Sequence, residues 1–356
     1  MAVKKVCVIE GDDASPEVVW PTVEILESMG LEIEFLKPLT GEKAIEKYGT
    51  GFPAEAKEAV DSAYCTLFGA ASGKTGGAIA YLRWGLKTYA NVRPIKWMLG
   101  FNSPLENPQG IDYVIIRENL EDMYPAREGN ISDLAPLGLV DRISGQPLAA
   151  LGAGKYAIRI ITEENTRKVA KFACELALKR KAKGGKGKVT SATKHNMLRQ
   201  SCGLFREIVE ETVKAYPDLI YEQFIVDDFA RRLIASPQDI DVAVMPNMFG
   251  DILADEAAGT IGGLGLAPSA CIGDTYAYFE PVHGTAPDIA GQNIINPTAM
   301  ILSAQMMLEY LGFEEAAQHL ERAVAEVYRH GSVLTVDQGG KATTTEFCQA
   351  VRAKLG

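Results

Sequence analysis

The chain has 356 residues, a length that predicts two or three domains at about 100–200 residues each. Its composition, with 47% hydrophobic, 23% charged and 8% aromatic residues, excludes a disordered chain, a collagen-like fibre and a coiled coil. The net charge of −10 offers no basic excess to displace counterions from phosphates, so we expect no nucleic-acid partner.

Short apolar runs alternate with segments of helical spacing along most of the chain. Strands are predicted at 6–9, 31–35, 65–68, 113–116, 189–192 and 242–245. Helices are predicted at 17–28, 54–63, 165–179, 203–215, 296–312 and 314–329. Such alternation is typical of an α/β protein with a mainly parallel sheet between covering helices.

The segment 125–155 breaks this alternation with glycines, prolines and short apolar pairs. An irregular segment of this length inside a compact domain is usually functional or pairs with another element. We therefore predict that this segment forms an arm.

Six cysteines are scattered without a CxxC pair or a histidine at zinc-ligand spacing, which predicts reduced thiols and no structural zinc site. The apolar stretch near the N-terminus is too short for a signal peptide or a membrane span. We expect a cytoplasmic protein without membrane association.

Three arginines form the first group of candidate site residues. Arg83 and Arg93 flank a helix-like segment, and Arg117 closes an apolar strand. Because a guanidinium group suits two-pronged binding of a carboxylate, three of them suggest a polyanionic substrate. Each arginine taken alone is equally compatible with a solvated surface charge. Arg117 is the strongest candidate, since sites in α/β sheets form at strand ends.

Three aspartates form the second group. Asp251 and Asp255 are four residues apart on one predicted helical face, and Asp227 follows an apolar run. Carboxylate clusters bind Mg²⁺ or Mn²⁺, but acidic residues in a first helical turn also compensate the helix dipole, and spacing does not decide between the two. Tyr124 and Lys194 are candidates for proton transfer if they are buried beside such a metal.

Four motifs follow one another along the chain: YANVRP, VIIREN with Tyr124 seven residues after Arg117, NMFGDILADEAAGTIGGLGLAPSA, and FEPVHGTAPDIAGQNIINPTAMILSAQMML. In these blocks the chain resembles the β-decarboxylating dehydrogenases, the family of isocitrate, homoisocitrate, 3-isopropylmalate and tartrate/malate dehydrogenases. The likeness extends from about Val6 to the C-terminal GGKATTTEF. It implies NAD-dependent oxidative decarboxylation of a (2R,3S)-3-substituted malate with the help of Mg²⁺ or Mn²⁺.

The resemblance implies a role for each of the candidate residues. Arg83, Arg93 and Arg117 match the arginines that hold the carboxylates of the malate core. Tyr124 matches the tyrosine that protonates the enol. Lys194 matches the lysine that assists deprotonation of the alcohol from the neighbouring subunit.

The same resemblance implies a metal site shared between two subunits. Asp227 matches the metal ligand that is donated across the dimer interface, and Asp251 and Asp255 match the ligands from the other side. The smallest active unit is then a homodimer, alone or paired into a dimer of dimers.

A loop late in the chain matches the one with which this family wraps the adenosine half of its cofactor. Its matching residues are Glu280, His283, Gly284, Ala286, Asp288, Ile289 and Asn296. Asp288 favours NAD, because a carboxylate accepts a hydrogen bond from the ribose 2′-hydroxyl and repels a 2′-phosphate. NADP-using relatives carry a Lys-Tyr pair where this chain has Asp288-Ile289.

The resemblance also implies a discontinuous two-domain fold. Residues 1–95 and 256–356 are expected to form the cofactor-binding domain, and residues 96–255 the domain for substrate, metal and dimerisation. The arm 125–155 resembles the clasp through which two subunits of this family interlock.

Substrate choice in this family depends largely on the helix before Arg83. Isocitrate enzymes usually carry Ser or Thr and then Asn where this chain has Gly77 and Ile79. An apolar patch of Ile79 and Ala80 suits an alkyl side chain, because burying an unpartnered carboxylate against it is unfavourable. We therefore expect a 3-alkylmalate such as 3-isopropylmalate ahead of homoisocitrate and isocitrate.

Two departures from the family pattern leave alternatives open. GDDASPE stands where the family usually has GDGIGPE, and the replacements Asp13 and Ser15 are expected to alter the backbone near the nicotinamide. Asp228 and Phe229 are expected to add a carboxylate and bulk near the metal. A non-catalytic regulatory subunit of the same fold and a D-malate or tartrate dehydrogenase remain the alternatives.

Overall fold

The structure is a computed structural model that describes residues 3–355. The strands of this part of the chain are β1 (Lys4–Ile9), β2 (Ile33–Leu36), β3 (Cys65–Phe68), β4 (Ala90–Lys96), β5 (Asp112–Glu118), β6 (Glu128–Asn130), β7 (Lys155–Ala157), β8 (Lys188–Thr193), β9 (Ile220–Ile225), β10 (Val242–Met245), β11 (Pro268–Ile272) and β12 (Ala277–Pro281). Its α-helices are α1 (Pro16–Ser28), α2 (Gly41–Tyr48), α3 (Ala54–Ser62), α4 (Gly76–Ala80), α5 (Glu163–Ala182), α6 (Ser201–Lys214), α7 (Val226–Ala235), α8 (Asn247–Ile261), α9 (Thr298–Tyr310), α10 (Glu314–His330) and α11 (Thr344–Arg352).

Ten of these strands form one sheet in the order β2-β1-β3-β12-β11-β4-β5-β10-β8-β9. Neighbouring strands are parallel except at the centre of the sheet. There, β11 is antiparallel to both β12 and β4, and β4 is antiparallel to β5. The predicted α/β fold class with a mainly parallel sheet is confirmed.

Distant parts of the chain meet in this sheet. One half holds β1 to β3 from the N-terminal third beside β11 and β12, and the other half holds β5, β8, β9 and β10 from the middle of the chain. The long β4–β5 pairing, from Ala90↔Glu118 to Lys96↔Asp112, joins the two halves. This order is compatible with domains at 1–95 plus 256–356 and at 96–255, although the division itself stays a prediction.

The predicted strands and helices are all present, with ends that differ by at most three residues. The helix-like interpretation of the segment between Arg83 and Arg93 was wrong in its second half. The helix α4 passes into one π-helical turn, Tyr81–Gly85, and the chain then enters β4. Arg93 lies on a strand because its backbone pairs with Ile115 of β5, and this pairing outweighs the local helical spacing.

The predicted arm contains a short two-stranded sheet formed by β6 and β7. Most of the arm is exposed, including the apolar side chains of Leu137 and Ile143. Exposed apolar side chains grouped on one element are typical of a surface that a partner covers. Interlocking with a second subunit stays a prediction.

The six cysteines are buried and unpaired, as the sequence predicts for reduced thiols. Within residues 3–355, the helices are too short or too polar to cross a membrane.

Candidate active site

A cavity of about 300 Å³ lies where β4, β5 and β12 approach α8 and the loop after β3. Its lining residues are Ala70, Ala71, Ser72, Ile79, Arg83, Trp84, Arg93, Arg117, Tyr124, Asp251, Glu280, Pro281, Val282, His283 and Gly284. A larger groove, of about 980 Å³, lies beside α10 and α11 and contains none of the predicted site residues. The smaller cavity is therefore the candidate active site.

Asp251 is the centre of the polar network in this cavity. Its Oδ1 accepts hydrogen bonds from Arg93 Nη2, at 3.1 Å, and from Arg117 Nη1. Its Oδ2 accepts a hydrogen bond from the Tyr124 hydroxyl. Asp255, one helical turn later, accepts from Arg93 Nη1 at 3.2 Å. The structure thus brings together two of the predicted metal ligands, two of the predicted arginines and the predicted acid.

Close packing of α8 on β5 makes this network possible. A Cβ at Gly250 would lie 2.7 Å from Arg117 Cβ, closer than real carbon atoms approach, so only glycine fits here. Arg117 Nε also donates to Asn247 Oδ1 at 2.7 Å, in the first turn of α8. Sequence analysis did not identify Asn247, although it stands four residues before Asp251 in a recognised motif.

The pKa directions assign protonation states to the network. Burial raises the pKa of the Tyr124 phenol, and Arg117 only partly opposes this, so the hydroxyl keeps its proton at neutral pH. Burial also acts to raise the pKa of Asp251, but Arg117 and Arg93 outweigh it and the pKa lies below the ordinary value. Burial raises the pKa of Asp255. A protonated phenol therefore faces an ionised carboxylate.

Arg83 differs from the other two arginines in the cavity. Within the described residues, no hydrogen bond or ion pair uses its guanidinium group, and its Nε is buried without a partner. The guanidinium carbon lies 6.0 Å from the centre of the Tyr124 ring. Arg83 is half-buried, and the nearby Tyr278 and Glu280 outweigh the effect of burial and raise its pKa. Because no carboxylate of the described residues bonds to its guanidinium group, Arg83 is a suitable binding group for an anionic ligand.

Three of the predicted cofactor residues, Glu280, His283 and Gly284, line the same cavity. Burial raises the pKa of Glu280 and lowers the pKa of His283. In both side chains, burial therefore favours the neutral form. His283 Nε2 is buried and has no hydrogen-bond partner in the described chain. The Nε2 atom of His283 is therefore available to a ligand.

The other predicted cofactor residues lie outside this cavity. Ala286, Asp288 and Ile289 belong to a short turn beyond it, in which Asp288 is exposed and Ala286 has φ +48°. Asn296 is buried, and its amide donates to Tyr328 and Asp337. Their role in cofactor binding stays a prediction.

Lys194 and Asp227 form a separate pair. Lys194 Nζ donates to Asp227 Oδ1, and this hydrogen bond holds the pKa of the exposed Asp227 carboxylate below its ordinary value. No hydrogen bond or ion pair in residues 3–355 connects this pair to Tyr124 or Asp251. Nor do three or more His, Cys, Asp and Glu side chains of the described chain converge as a metal site.

Ile79 lines the cavity, whereas its predicted companion Ala80 is exposed and absent from the lining. Trp84 and Ser72 line it although sequence analysis did not identify them. The sequence signals that could have identified them are the position of Trp84 directly after Arg83 and the position of Ser72 at the start of the glycine-rich stretch.

The GDDASPE turn keeps the backbone conformation that glycine favours. Asp13 has φ +54°, in the left-handed region. Asp12 Oδ2 accepts hydrogen bonds from the backbone N–H groups of Ser72 and Thr75, at 2.7 and 3.0 Å, and from their hydroxyls. This turn therefore anchors the loop that leads to Ile79 and Arg83.

The expected effect of Asp228 and Phe229 beside the metal is not supported. Asp228 is paired with Arg231 and Arg232 of its own helix, at 2.8 Å each, and Phe229 is fully buried in the core. Helical periodicity turns these two residues away from Asp227, which explains the difference.

Comparison with known proteins supplies an independent result. The family model described as isocitrate/isopropylmalate dehydrogenase matches residues 5–351. The chain is 43% identical to a 3-isopropylmalate/3-methylmalate dehydrogenase of Methanocaldococcus jannaschii, over 99% of this chain and 98% of that protein. It is also 43% identical to an isocitrate/homoisocitrate dehydrogenase of Thermus thermophilus, over 98% and 97%.

Comparison of the fold agrees with the comparison of the sequences. A solved isocitrate dehydrogenase from Methylococcus capsulatus superimposes with a TM-score of 0.86 at 33% identity, and the alignment covers 99% of both chains.

Proposed function

Since the chain belongs to the isocitrate/isopropylmalate dehydrogenase family and is an oxidoreductase, we propose that it catalyses NAD-dependent, divalent-metal-dependent oxidative decarboxylation of a (2R,3S)-3-substituted malate. The candidates are 3-isopropylmalate, homoisocitrate and isocitrate, and the products are the 2-oxoacid and CO₂. Overall identity does not choose among them, because relatives named for either type of substrate are equally similar.

The observation that carries this proposal is the convergence of Arg83, Arg93, Arg117, Tyr124 and Asp251 on one cavity. Arg83 makes no hydrogen bond to a carboxylate of the described residues, and it receives a substrate carboxylate. Arg93 and Arg117 orient Asp251 and hold it ionised. The Tyr124 hydroxyl keeps its proton until the enolate carbon that decarboxylation leaves accepts it.

The reaction balances with these residues. The substrate hydroxyl loses its proton to a base, for which Lys194 of a second copy is the candidate, and the carbon that bears it loses hydride. NAD⁺, when bound, would supply the acceptor for this hydride. The β-carboxylate of the resulting 2-oxoacid leaves as CO₂, its bonding electrons move to the neighbouring carbon, and Tyr124 protonates that carbon.

The donor set is suitable for Mg²⁺ or Mn²⁺, which prefer carboxylate oxygens. Asp251 and Asp255 supply two carboxylates within one chain, and we propose that Asp227 of a second copy supplies the third. A divalent cation held by these carboxylates would supply Lewis-acid chemistry to the bound substrate. The lack of a three-residue cluster in the described chain is in keeping with a site divided between copies.

We propose a homodimer as the smallest active unit. Exposed apolar side chains occur on the arm, at Ile252 of α8 and at Met197, close in sequence to Asp251 and Lys194. A second copy that covers these side chains would bring Lys194 and Asp227 to the cavity of its partner. Pairing of dimers into tetramers and a cytoplasmic location stay predictions.

Two alternatives deserve the same test. A regulatory subunit of this fold is disfavoured because Tyr124, Lys194 and the three aspartates are all retained. A D-malate or tartrate dehydrogenase would use the same arginines without filling the space beside Ile79.

The deciding experiment measures NAD⁺ and NADP⁺ reduction with each candidate malate, D-malate and tartrate, in the presence of Mg²⁺, Mn²⁺ or EDTA, with CO₂ assayed in parallel. We expect metal-dependent NADH formation with equimolar CO₂ from one 3-substituted malate. NADH without CO₂, or turnover that EDTA leaves unchanged, would contradict the proposal.

A further inference from the structure

Two buried asparagines bond to two arginines of the cavity, and the proposed chemistry does not use them. The Nε atom of Arg93 donates to Asn91 Oδ1 at 2.7 Å, and the Nε atom of Arg117 donates to Asn247 Oδ1, also at 2.7 Å. Both asparagines are fully buried, and neither is among the residues that line the cavity. Their contacts therefore act on the arginines and not directly on a ligand.

At Asn247 the contact with the arginine takes precedence over other uses of the side chain. Asn247 begins α8, where asparagine often caps the helix, yet in residues 3–355 its Oδ1 accepts only from Arg117. Because the Nε of arginine is a donor only, the amide oxygen must face it, and this leaves the buried Nδ2 without an acceptor in the described chain. An unpartnered buried donor is destabilising, so the contact with Arg117 is maintained although it weakens the fold.

At Asn91 the strand geometry explains the contact. Asn91 stands two residues before Arg93 on β4, so both side chains lie on the same face of the strand. Asparagine is unfavourable within a strand. Here its Nδ2 donates to Ser269 Oγ at 3.0 Å and to Cys271 Sγ at 2.7 Å, on the neighbouring strand β11. These contacts fix the amide, so its oxygen faces Arg93 in one orientation.

The two amides fix the guanidinium planes and so decide what the remaining N–H groups do. With its Nε on Asn247, Arg117 donates to Asp251 through Nη1, and its Nη2 has no hydrogen bond to the described residues. Arg93 donates to Asp251 and Asp255 through its two Nη atoms. The Nη2 atom of Arg117 is therefore left for a ligand of the cavity, which Arg117 lines.

The asparagines are also neutral, and the arginines that they hold repel each other. Burial and the charge of Arg93 lower the pKa of Arg117, and Asp251 opposes them. A carboxylate bonded to either Nε would cancel much of the positive charge, whereas an amide oxygen accepts the same hydrogen bond without doing so. An amide therefore orients the cation and leaves its charge for an anionic ligand.

We propose that Asn247 and Asn91 are positioning residues, which hold Arg117 and Arg93 by their Nε atoms and present both charges to the substrate carboxylates and to Asp251. Asn247 has the larger effect on substrate binding, because its arginine retains an Nη2 atom for the ligand. This inference rests on the proposed function and adds two residues to its site.

The first experiment tests the contacts themselves and needs no ligand. In protein labelled with ¹⁵N-arginine, the Nε–H groups of Arg93 and Arg117 should exchange slowly with solvent. Asn247→Ala should accelerate this exchange at Arg117 by about tenfold and leave Arg93 slow, and Asn91→Ala should do the reverse. Equal acceleration at both arginines in each variant would indicate a general loosening of the site and contradict the assigned roles.

Asn247→Asp separates position from charge. Its carboxylate still accepts the hydrogen bond, so slow exchange at Arg117 Nε should be retained. The added negative charge should nevertheless weaken malate binding by at least about tenfold, measured by titration calorimetry with Mg²⁺ and whichever of 3-isopropylmalate, homoisocitrate and isocitrate binds the native chain most tightly. The dissociation constant for NAD⁺ should stay unchanged. Native malate affinity in Asn247→Asp would overturn the inference.

Asn119→Ala is the matched control. Asn119 is an equally buried asparagine, but its amide donates to the backbone oxygen of Thr88, at 2.9 Å, and to no other described residue. This variant should unfold at a lower urea concentration, yet retain native malate affinity and slow exchange at both arginines. A loss of malate affinity equal to that in Asn247→Ala would mean that any change at a buried asparagine has this effect, and would refute the positioning role.

Kinetic measurements separate this inference from the proposed reaction. We expect kcat/KM to fall by about 10²-fold in Asn247→Ala, as is typical when a binding group is misplaced by about 1 Å. Native kcat/KM in Asn247→Ala and Asn91→Ala would remove the positioning role and leave the decarboxylation proposal intact. If the native chain binds a malate but forms neither NADH nor CO₂, the proposed reaction is wrong, while malate affinity and exchange still test the asparagines. Binding of none of the three malates would refute both.

Discussion

Tyr124 and Asp251 share a hydrogen bond at the polar end of the cavity, and their opposite pKa directions give them different tasks. The phenol is half-buried and protonated, while the carboxylate is ionised beside two guanidinium groups. Groups whose surroundings separate their pKa values are suited to distinct roles in proton transfer and ion binding.

Replacement of the acid should therefore affect chemistry more than binding. We expect Tyr124→Phe to lower kcat by about 10²- to 10⁴-fold, the range typical of general acid catalysis, because carbon protonation loses its donor. The dissociation constant for NAD⁺, measured by calorimetry, should stay unchanged. Tyr310→Phe, on α9, is the control. Normal turnover in Tyr124→Phe would remove this residue from its proposed role.

Glu118 is next to Arg117, and its pKa can be tested through the effect of pH on the stability of the protein. Burial raises its pKa from 4.5 to about 7, although the N–H groups of Leu120 and Glu121 donate to it. A raised carboxyl pKa adds to the free energy of unfolding. This contribution is fully present below pH 4.5 and is lost as the pH rises through about 7.

Glu118→Gln removes this titration. Relative to the native chain, its free energy of unfolding should rise between pH 5 and pH 8 by up to about 3 kcal/mol, the energy of the pKa shift. Urea unfolding at several pH values measures the difference, with the exposed Glu106→Gln as control. A difference that does not change with pH would show that Glu118 titrates normally.

At the scale of elements, the buried carboxylate of Asp122 joins the segment after the arm to the start of α8. Arg159 Nε lies 2.5 Å from Oδ1 of the fully buried Asp122, and Asp122 Oδ2 accepts the N–H of Met248 at 3.0 Å. Asp122 has φ +69°, an unfavourable backbone for a residue with a side chain. Tyr124 follows two residues later, so these contacts connect the arm, the acid and α8.

Arg159→Met leaves the Asp122 carboxylate buried without its cation, and we expect a loss of about 3–5 kcal/mol in unfolding free energy. Hydrogen exchange should accelerate together in residues 120–126, 157–161 and 246–250. Arg180→Met is the matched control, because Arg180 pairs with the equally buried Asp241 at 2.7 Å. If both variants accelerate exchange in the same segments, the Asp122 pair has no special part in joining these elements.

At the scale of the whole molecule, the separation of Lys194 and Asp227 from the cavity predicts a shared active site. Their mutual hydrogen bond keeps them together as a unit that a second copy can receive. One chain then contributes Tyr124 and Asp251 to a site, and its partner contributes Lys194 and Asp227.

Mixed dimers test this arrangement. Tyr124→Phe and Lys194→Ala should each be nearly inactive, but refolding them together at equal amounts should restore about a quarter of native activity, since half the dimers gain one intact site. Tyr124→Phe mixed with Asp251→Asn should recover nothing, because both changes fall in the same half-site. Equal activity in the two mixtures would mean that each chain has a complete site.

The sequence by itself determined the α/β class and most element positions, because apolar periodicity and turn residues are local signals. The motifs around Arg117, Tyr124 and Asp251 also identified the family and these cavity residues. The position of Arg93 on a strand followed from pairing across the sheet, which local spacing does not encode.

Tertiary structure alone decided which of the predicted residues face one another. Gly250 allows α8 to reach Arg117, Ala80 turns out to be exposed, and Phe229 turns into the core. Trp84 lines the cavity, and its N–H bonds to the backbone oxygen of Leu120, 36 residues later in the chain. Such contacts depend on how distant segments pack, and no local pattern of residues specifies them.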